Sequence, residues 1–247
     1  MRTILKLAAF NYWGHSLIAV LLLAAPFSIW AQNDGPGLIN VRFADVKPDQ
    51  VAQFEAAAAD VGAAMRAGGA PFFHVYQRVR GDMGYAIFTL DSELNDLPAI
   101  QLSPGLIDRA TSAVNNFTVL TLAVDPALGI DSGTLEPAGR YMHVRVRTTS
   151  PGNAQAFLQA QADEVVPALR AGGVKDRRFG RVLFGGNVNT FVNFMYSDSF
   201  PGTGTNMVAQ TMGQRNFDRM VSRLNALVSN AEDYVFVFRP DLSFTGE

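Results

Sequence analysis

An α+β fold built from two tandem βαββαβ halves is predicted by three observations. The run Met65-Arg66-Ala67-Gly68-Gly69 returns almost unchanged as Leu169-Arg170-Ala171-Gly172-Gly173. Each copy closes a stretch with helical apolar spacing and precedes one with strand alternation. Further matched features, Arg42 with Arg145, Arg78 with Arg181, Asp91 with Asp198 and Asp125-Pro126 with Arg239-Pro240, keep one order at separations of 103 to 114 positions. The halves span residues 38–126 and 140–247, joined by a glycine-rich linker over 127–139.

In the first half, residues 38–43 place Ile39, Val41 and Phe43 on one face and Asn40 and Arg42 on the other, as a half-buried strand requires. Pro48 suits the first turn of a helix, in which Val51, Phe54, Ala58, Val61 and Met65 form one stripe. Gly68-Gly69 stops it, because glycine enters the left-handed cap conformation without a Cβ clash. Residues 72–80 and 84–91 read as a hairpin around Gly81-Asp82. A helix over 106–115 and a strand over 118–124 follow.

The second half repeats this order. A strand over 141–148 leads to a helix opened by Ser150-Pro151 and marked by Phe157, Gln161, Val165 and Leu169. Pro167 is expected to kink it or disrupt one turn. A hairpin of 177–184 and 190–196 crosses Gly185-Gly186-Asn187, before a helix over 212–228 and a strand over 233–238. The order in each half is the split, ferredoxin-like arrangement. Residues 201–206, rich in glycine and threonine, read as a loop able to cover a cavity mouth.

Arg2 and Lys6 precede an apolar run over 17–25, which Pro26 breaks, and Ala31 offers a small residue for cleavage. Residues 1–31 therefore read as a signal peptide, with 32–37 as a leader, and the apolar run is short of the roughly 20 residues of a stable membrane anchor. A periplasmic or secreted location follows as an expectation. Removing the peptide takes two basic and no acidic residues, moving the net charge from −2 to −4 and giving no general attraction to nucleic acid. The chain has no cysteine, which excludes disulfides, thiolate nucleophiles and thiolate metal sites. Beyond the leader only His74 and His143 remain as histidines and no tryptophan remains, so a dedicated transition-metal site is not expected.

The tandem halves resemble the dimeric α/β-barrel superfamily, in which two ferredoxin-like units pack their sheets together. Relatives at the level of architecture include antibiotic-biosynthesis-type monooxygenases, NIPSNAP-like proteins and the haem proteins of the chlorite dismutase and dye-decolourising peroxidase groups. The resemblance implies a pseudo-dimeric barrel. It also implies that polar residues of the sheet faces meet between the halves. By strand parity those are Asn40 and Arg42 with His143, Arg145 and Arg147, and on the second strands His74, Tyr76 and Arg78 with Arg177 and Arg181. The opposite parity, Ile39, Val41, Phe43, Val144 and Val146, would then lie under the helices.

Arginine suits bidentate recognition of carboxylate or phosphate, and histidine moves protons near neutral pH. The expected function is an exported protein that binds a small anionic or polar molecule, acting as a cofactor-independent oxygenase or isomerase. The alternatives are a non-catalytic binding or assembly module that buries its sheet faces against a partner, and a haem protein using His74 or His143. The Asn–Trp–His set of haem-degrading monooxygenases cannot be assembled without tryptophan.

Overall fold

The computed structural model describes residues 37–91, 103–130, 139–200 and 203–246. The segment expected to be a signal peptide, the expected leader up to residue 36, residues 131–138 of the expected linker and residues 201–202 lie outside them, and the rest of the expected 201–206 loop opens a helix. In the first half, β1 (Leu38–Val46) leads into α1 (Val51–Ala67), then β2 (Phe72–Arg78), β3 (Gly84–Asp91), α2 (Pro104–Ser112) and β4 (Val114–Val124). In the second half, β5 (Tyr141–Thr149) is followed by α3 (Ala154–Ala160), a π-helical turn (Gln161–Val165) and α4 (Val166–Ala171). Then come β6 (Arg177–Phe184), β7 (Thr190–Ser197), α5 (Thr203–Met212), α6 (Gln214–Leu227), β8 (Val228–Phe238) and the short β9 (Phe244–Thr245). No helix among the described residues is long and apolar enough to cross a membrane.

The echoed Ala-Gly-Gly closes both first helices with one set of hydrogen bonds. Ala70 N donates to Met65 O and Gly69 N to Arg66 O, as Val174 N does to Leu169 O and Gly173 N to Arg170 O, all at 3.0 Å. Gly69 (φ 80) and Gly173 (φ 78) take the left-handed position, which completes a Schellman cap. The helix predicted over 212–228 forms as Gln214–Leu227, and a separate helix, Thr203–Met212, precedes it across Gly213 (φ 81). The expected disruption near Pro167 is the π-helical segment Gln161–Val165, which ends two residues before it. One local expectation is corrected: Ser150-Pro151 belongs to a turn, and the helix begins at Ala154.

All strand pairings are antiparallel, and the order β3-β1-β4-β6-β7-β5-β8-β2 closes through the β2–β3 pair into an eight-stranded barrel, with β9 added along β2. The halves meet at two seams, β4 with β6 (Leu122 opposite Val182) and β2 with β8 (Gln77 opposite Val237). Helices cover the outside. Closure reverses the expected faces. Ile39, Val41, Phe88, Val144, Phe194 and Phe236 fill the interior, and Phe88 meets Phe194 edge to face at 5.1 Å. The outward face of β1 and β3 carries Ala44, Tyr85 and Ile87 against Phe54, Ala58 and Met65 of α1. Both faces of these strands are buried, so alternation alone could not say which apolar row lay inside.

The C-terminal segment belongs structurally to the first half. Leu242 and Phe244 pack in the core under α1, and Phe244 pairs with Phe73 of β2. Arg239 bonds Glu55 of α1 and Gln77 of β2, and Glu55 also accepts from the Tyr85 hydroxyl at 2.5 Å.

Candidate functional site

The structure divides the predicted site residues between two faces. On the outward face of the first half, Arg42 donates to Thr89 Oγ1 at 2.7 Å and Thr121 donates to Asn40 Oδ1 at 2.6 Å. Both residues are buried. His74, Tyr76 and Arg78 point into the barrel. Arg78 sits at one end, 2.9 Å from Asp45 and over the Tyr234 ring, which is a packing role. Arg181 is exposed and bonds Val188 O across its own hairpin. The expected meeting of all these groups between the sheets does not occur.

What does assemble is a cluster on the outward face of the second half. His143, Arg145 and Arg147 alternate along β5, and Asp233 of β8 lies directly opposite Arg145. Its carboxylate lies 3.2 Å from His143 Nε2 and 3.3 Å from Arg145 Nε, and accepts a hydrogen bond from Arg147 Nη2 at 2.8 Å. Side chains here are partly open, from 17% exposed at His143 to 46% at Asp233. On the other side of Arg145 stands Asn193 of β7. Asn193 accepts from Arg177 Nε of β6, whose two other nitrogens donate to Leu128 O (2.9 Å) and Gln161 Oε1 (2.6 Å).

Arg177 is 2% exposed, and none of the acceptors it reaches is a carboxylate. Its partner Gln161 opens the π-helical turn, an irregularity absent from α1, the regular counterpart in the first half. Such turns often mark functional positions in helices.

Two guanidinium groups and one imidazole thus share the Asp233 carboxylate on this face, with the Arg177 guanidinium buried behind Asn193. Burial works against the Asp233 carboxylate, yet the hydrogen bond from His143 and the charges of Arg147 and Arg145 hold it down at about 2. Burial pulls Arg177 down to about 9, with Arg145's charge adding to it, and burial also lowers Arg145. The face therefore favours an added anion. When His143 donates Nε2–H to Asp233, its lone pair lies on Nδ1, and the carboxylate stabilises the imidazolium formed by proton uptake. A base beside an oxyanion holder is what abstraction of an acidic proton requires.

Asp233, Asn193 and Gln161 were not singled out from the sequence. Asp233 could have been found by matching β8 antiparallel to β5, since an acid opposite alternating basic residues is a cross-strand pairing signal. His143 Nε2 is on Asp233, while His74 Nε2 lies 3.0 Å from Thr245 Oγ1 and its ring is stacked on Phe72.

Fold and strand order define a fused, pseudo-dimeric α/β barrel of two ferredoxin-like units. No family model and no curated protein matches the chain. Solved structures do. A candidate monooxygenase from Fusobacterium nucleatum aligns with a TM-score of 0.62 at 13% identity, over 83% of this chain and 94% of its own. One from Lactobacillus acidophilus gives 0.58 at 12%, over 85% and 96%. An anthrone oxidase-like protein gives 0.58 at 11%, over 87% and 95%. At such identities the likeness establishes the fold.

Proposed function

We propose that this protein is an exported oxygenase that needs no cofactor and acts on a small organic molecule with an ionisable oxygen and an acidic C–H bond. The observation that carries the reading is the convergence of His143 and Arg145 on the Asp233 carboxylate, on a partly open face with excess positive charge. The neighbours described as monooxygenases and as anthrone oxidase-like support the reaction class. The first 31 residues are removed on export in this reading.

In the proposed reaction His143 Nδ1 takes the C–H proton, and Arg145 with Arg147 holds the resulting enolate oxygen. The carbanion passes its electrons to dioxygen and forms a C–O bond. Loss of water from the hydroperoxide, with the proton returned by His143, leaves a new carbonyl. For anthrone the balance is one anthrone and one O2 to one anthraquinone and one water. Oxygen uptake and anthraquinone absorbance with the purified protein test it. His143→Gln and Asp233→Asn are each expected to lower turnover by about 100-fold or more, the usual contribution of a positioned base. Arg145→Gln is expected to act mainly on KM. Unchanged turnover in His143→Gln contradicts the assignment.

A further inference from the structure

The barrel interior is apolar in its middle; besides the Arg78–Asp45 pair, a second polar group is brought inside by the two halves together. His74 and Tyr76 come from β2, Asp176 precedes β6, and Arg178 and Tyr196 come from β6 and β7. None of these side chains belongs to the β5 cluster, and a role for them is independent of the proposed oxygenase activity.

Strand register shows why they meet. Val41 of β1 pairs with Phe88, and its counterpart Val144 of β5 pairs with Phe194. Phe88 pairs with His74, and Phe194 pairs with Arg178. His74 and Arg178 are therefore equivalent positions, facing inward from opposite sides of one barrel.

Tyr76 is 1% exposed, its ring lies 6.3 Å from that of Tyr196, and no described residue hydrogen-bonds either hydroxyl. A buried tyrosine whose hydroxyl has no partner, as at Tyr76, is uncommon; Tyr196 is half-buried. The Arg178 guanidinium carbon lies 5.9 Å from the Tyr196 ring centre. Its Nε is 4.0 Å from Asp176, so the loose ion pair holds the base of the guanidinium. The Arg178 side chain is 22% exposed. Burial raises both phenols, Tyr196 to about 12, so they remain protonated donors. Burial, together with the charge of Arg178, lowers His74 to about 4, so it is neutral at physiological pH. Phe72 and Phe238 flank His74 at 4.6 and 5.8 Å as aromatic walls.

We propose that this part of the barrel is a binding site for a carboxylate-sized oxyanion, with Arg178 supplying charge and the Tyr76 and Tyr196 hydroxyls supplying directional donors. Charge-assisted hydrogen bonds of this kind are the strong ones, and they gain from the apolar surroundings. The anion is either a free small oxyanion or the carboxylate end of an aromatic molecule.

The test titrates protein carrying ring-labelled tyrosine with formate and with benzoate, following the Tyr76 and Tyr196 signals by NMR. Saturable shifts of both are expected. Tighter benzoate binding assigns the anion to an aromatic molecule, and equal or tighter formate binding assigns it to a free ion. Arg178→Gln is expected to weaken binding by about tenfold or more, and Arg178→Lys to retain part of it, with the His143 signals of both variants unchanged. Absence of a shift at either tyrosine with both anions overturns the proposal. So does equal affinity in wild type and Arg178→Gln.

Discussion

Arg177→Ala is expected to destabilise the protein by about 3–5 kcal/mol, read from urea unfolding followed by circular dichroism. The guanidinium is fully buried and serves acceptors on three separate elements: Leu128 O, Asn193 of β7 and Gln161 of the π-helical turn. Alanine leaves each acceptor buried without a donor and opens a hole beside Phe179, over whose ring the guanidinium lies at 4.9 Å. A counter-effect limits the loss, since burial already disfavours the Arg177 charge. Arg177→Met isolates that counter-effect by filling the volume without the charge, and its expected loss is smaller, about 1–2 kcal/mol. A loss under about 1 kcal/mol in Arg177→Ala would mean that the three elements are held together by something else.

Gly185→Ala is expected to open the β4–β6 seam. Gly185 has φ +85, and a Cβ there would run into the backbone carbonyl of Val119. Val119 cannot retreat, because β4 is paired with β1 on its other side, where Arg42 lies opposite Val119. The left-handed conformation costs alanine about 1–2 kcal/mol, and the collision is expected to bring the total to about 3 kcal/mol or more. Gly152→Ala is the internal control, with φ +82 and no atom within 4 Å of the added carbon; only the backbone penalty of about 1 kcal/mol applies there. Amide hydrogen exchange reads the location. Protection should fall at Leu122 and Val182 in Gly185→Ala and stay unchanged at the β2–β8 seam.

The repeat was legible because the helix stop is chemistry written in five residues: a last apolar turn, then glycines for the left-handed cap. That same echo also held the register of the second strands. Met65 and Leu169 stand 104 positions apart, and so do His74 and Arg178. Extending the 103-position step of Arg42 and Arg145 into the second strand instead matched His74 with Arg177. In a strand, a shift of one residue moves a side chain to the other face. Arg178 and Tyr196 were hidden by that slip.

The inverted faces have a different cause. Ile39, Val41 and Phe43 form an apolar row, but Ala44 and Val46 on the same strand are also buried, against the helix-side core. Period-two alternation identifies rows, and only closure of the barrel decides which row is inside. The β5 cluster was half legible. His143, Arg145 and Arg147 announced one polar face, and Pro167 announced a disrupted turn, but nothing in the sequence said that the disruption would bring Gln161 onto Arg177.

The most direct test of where function lies is an NMR titration with 1-hydroxyanthraquinone, an unreactive tricyclic analogue of the assay substrate. Imidazole and guanidinium signals report separately on His143 and Arg145 in the second half and on Arg42 in the first. The predicted result is saturable shifts at His143 and Arg145, none at Arg42, and binding weakened by about tenfold in Arg145→Gln. Shifts confined to Arg42, or none at His143 and Arg145 when the analogue saturates the protein elsewhere, would contradict the placement of the functional site on the outward face of β5.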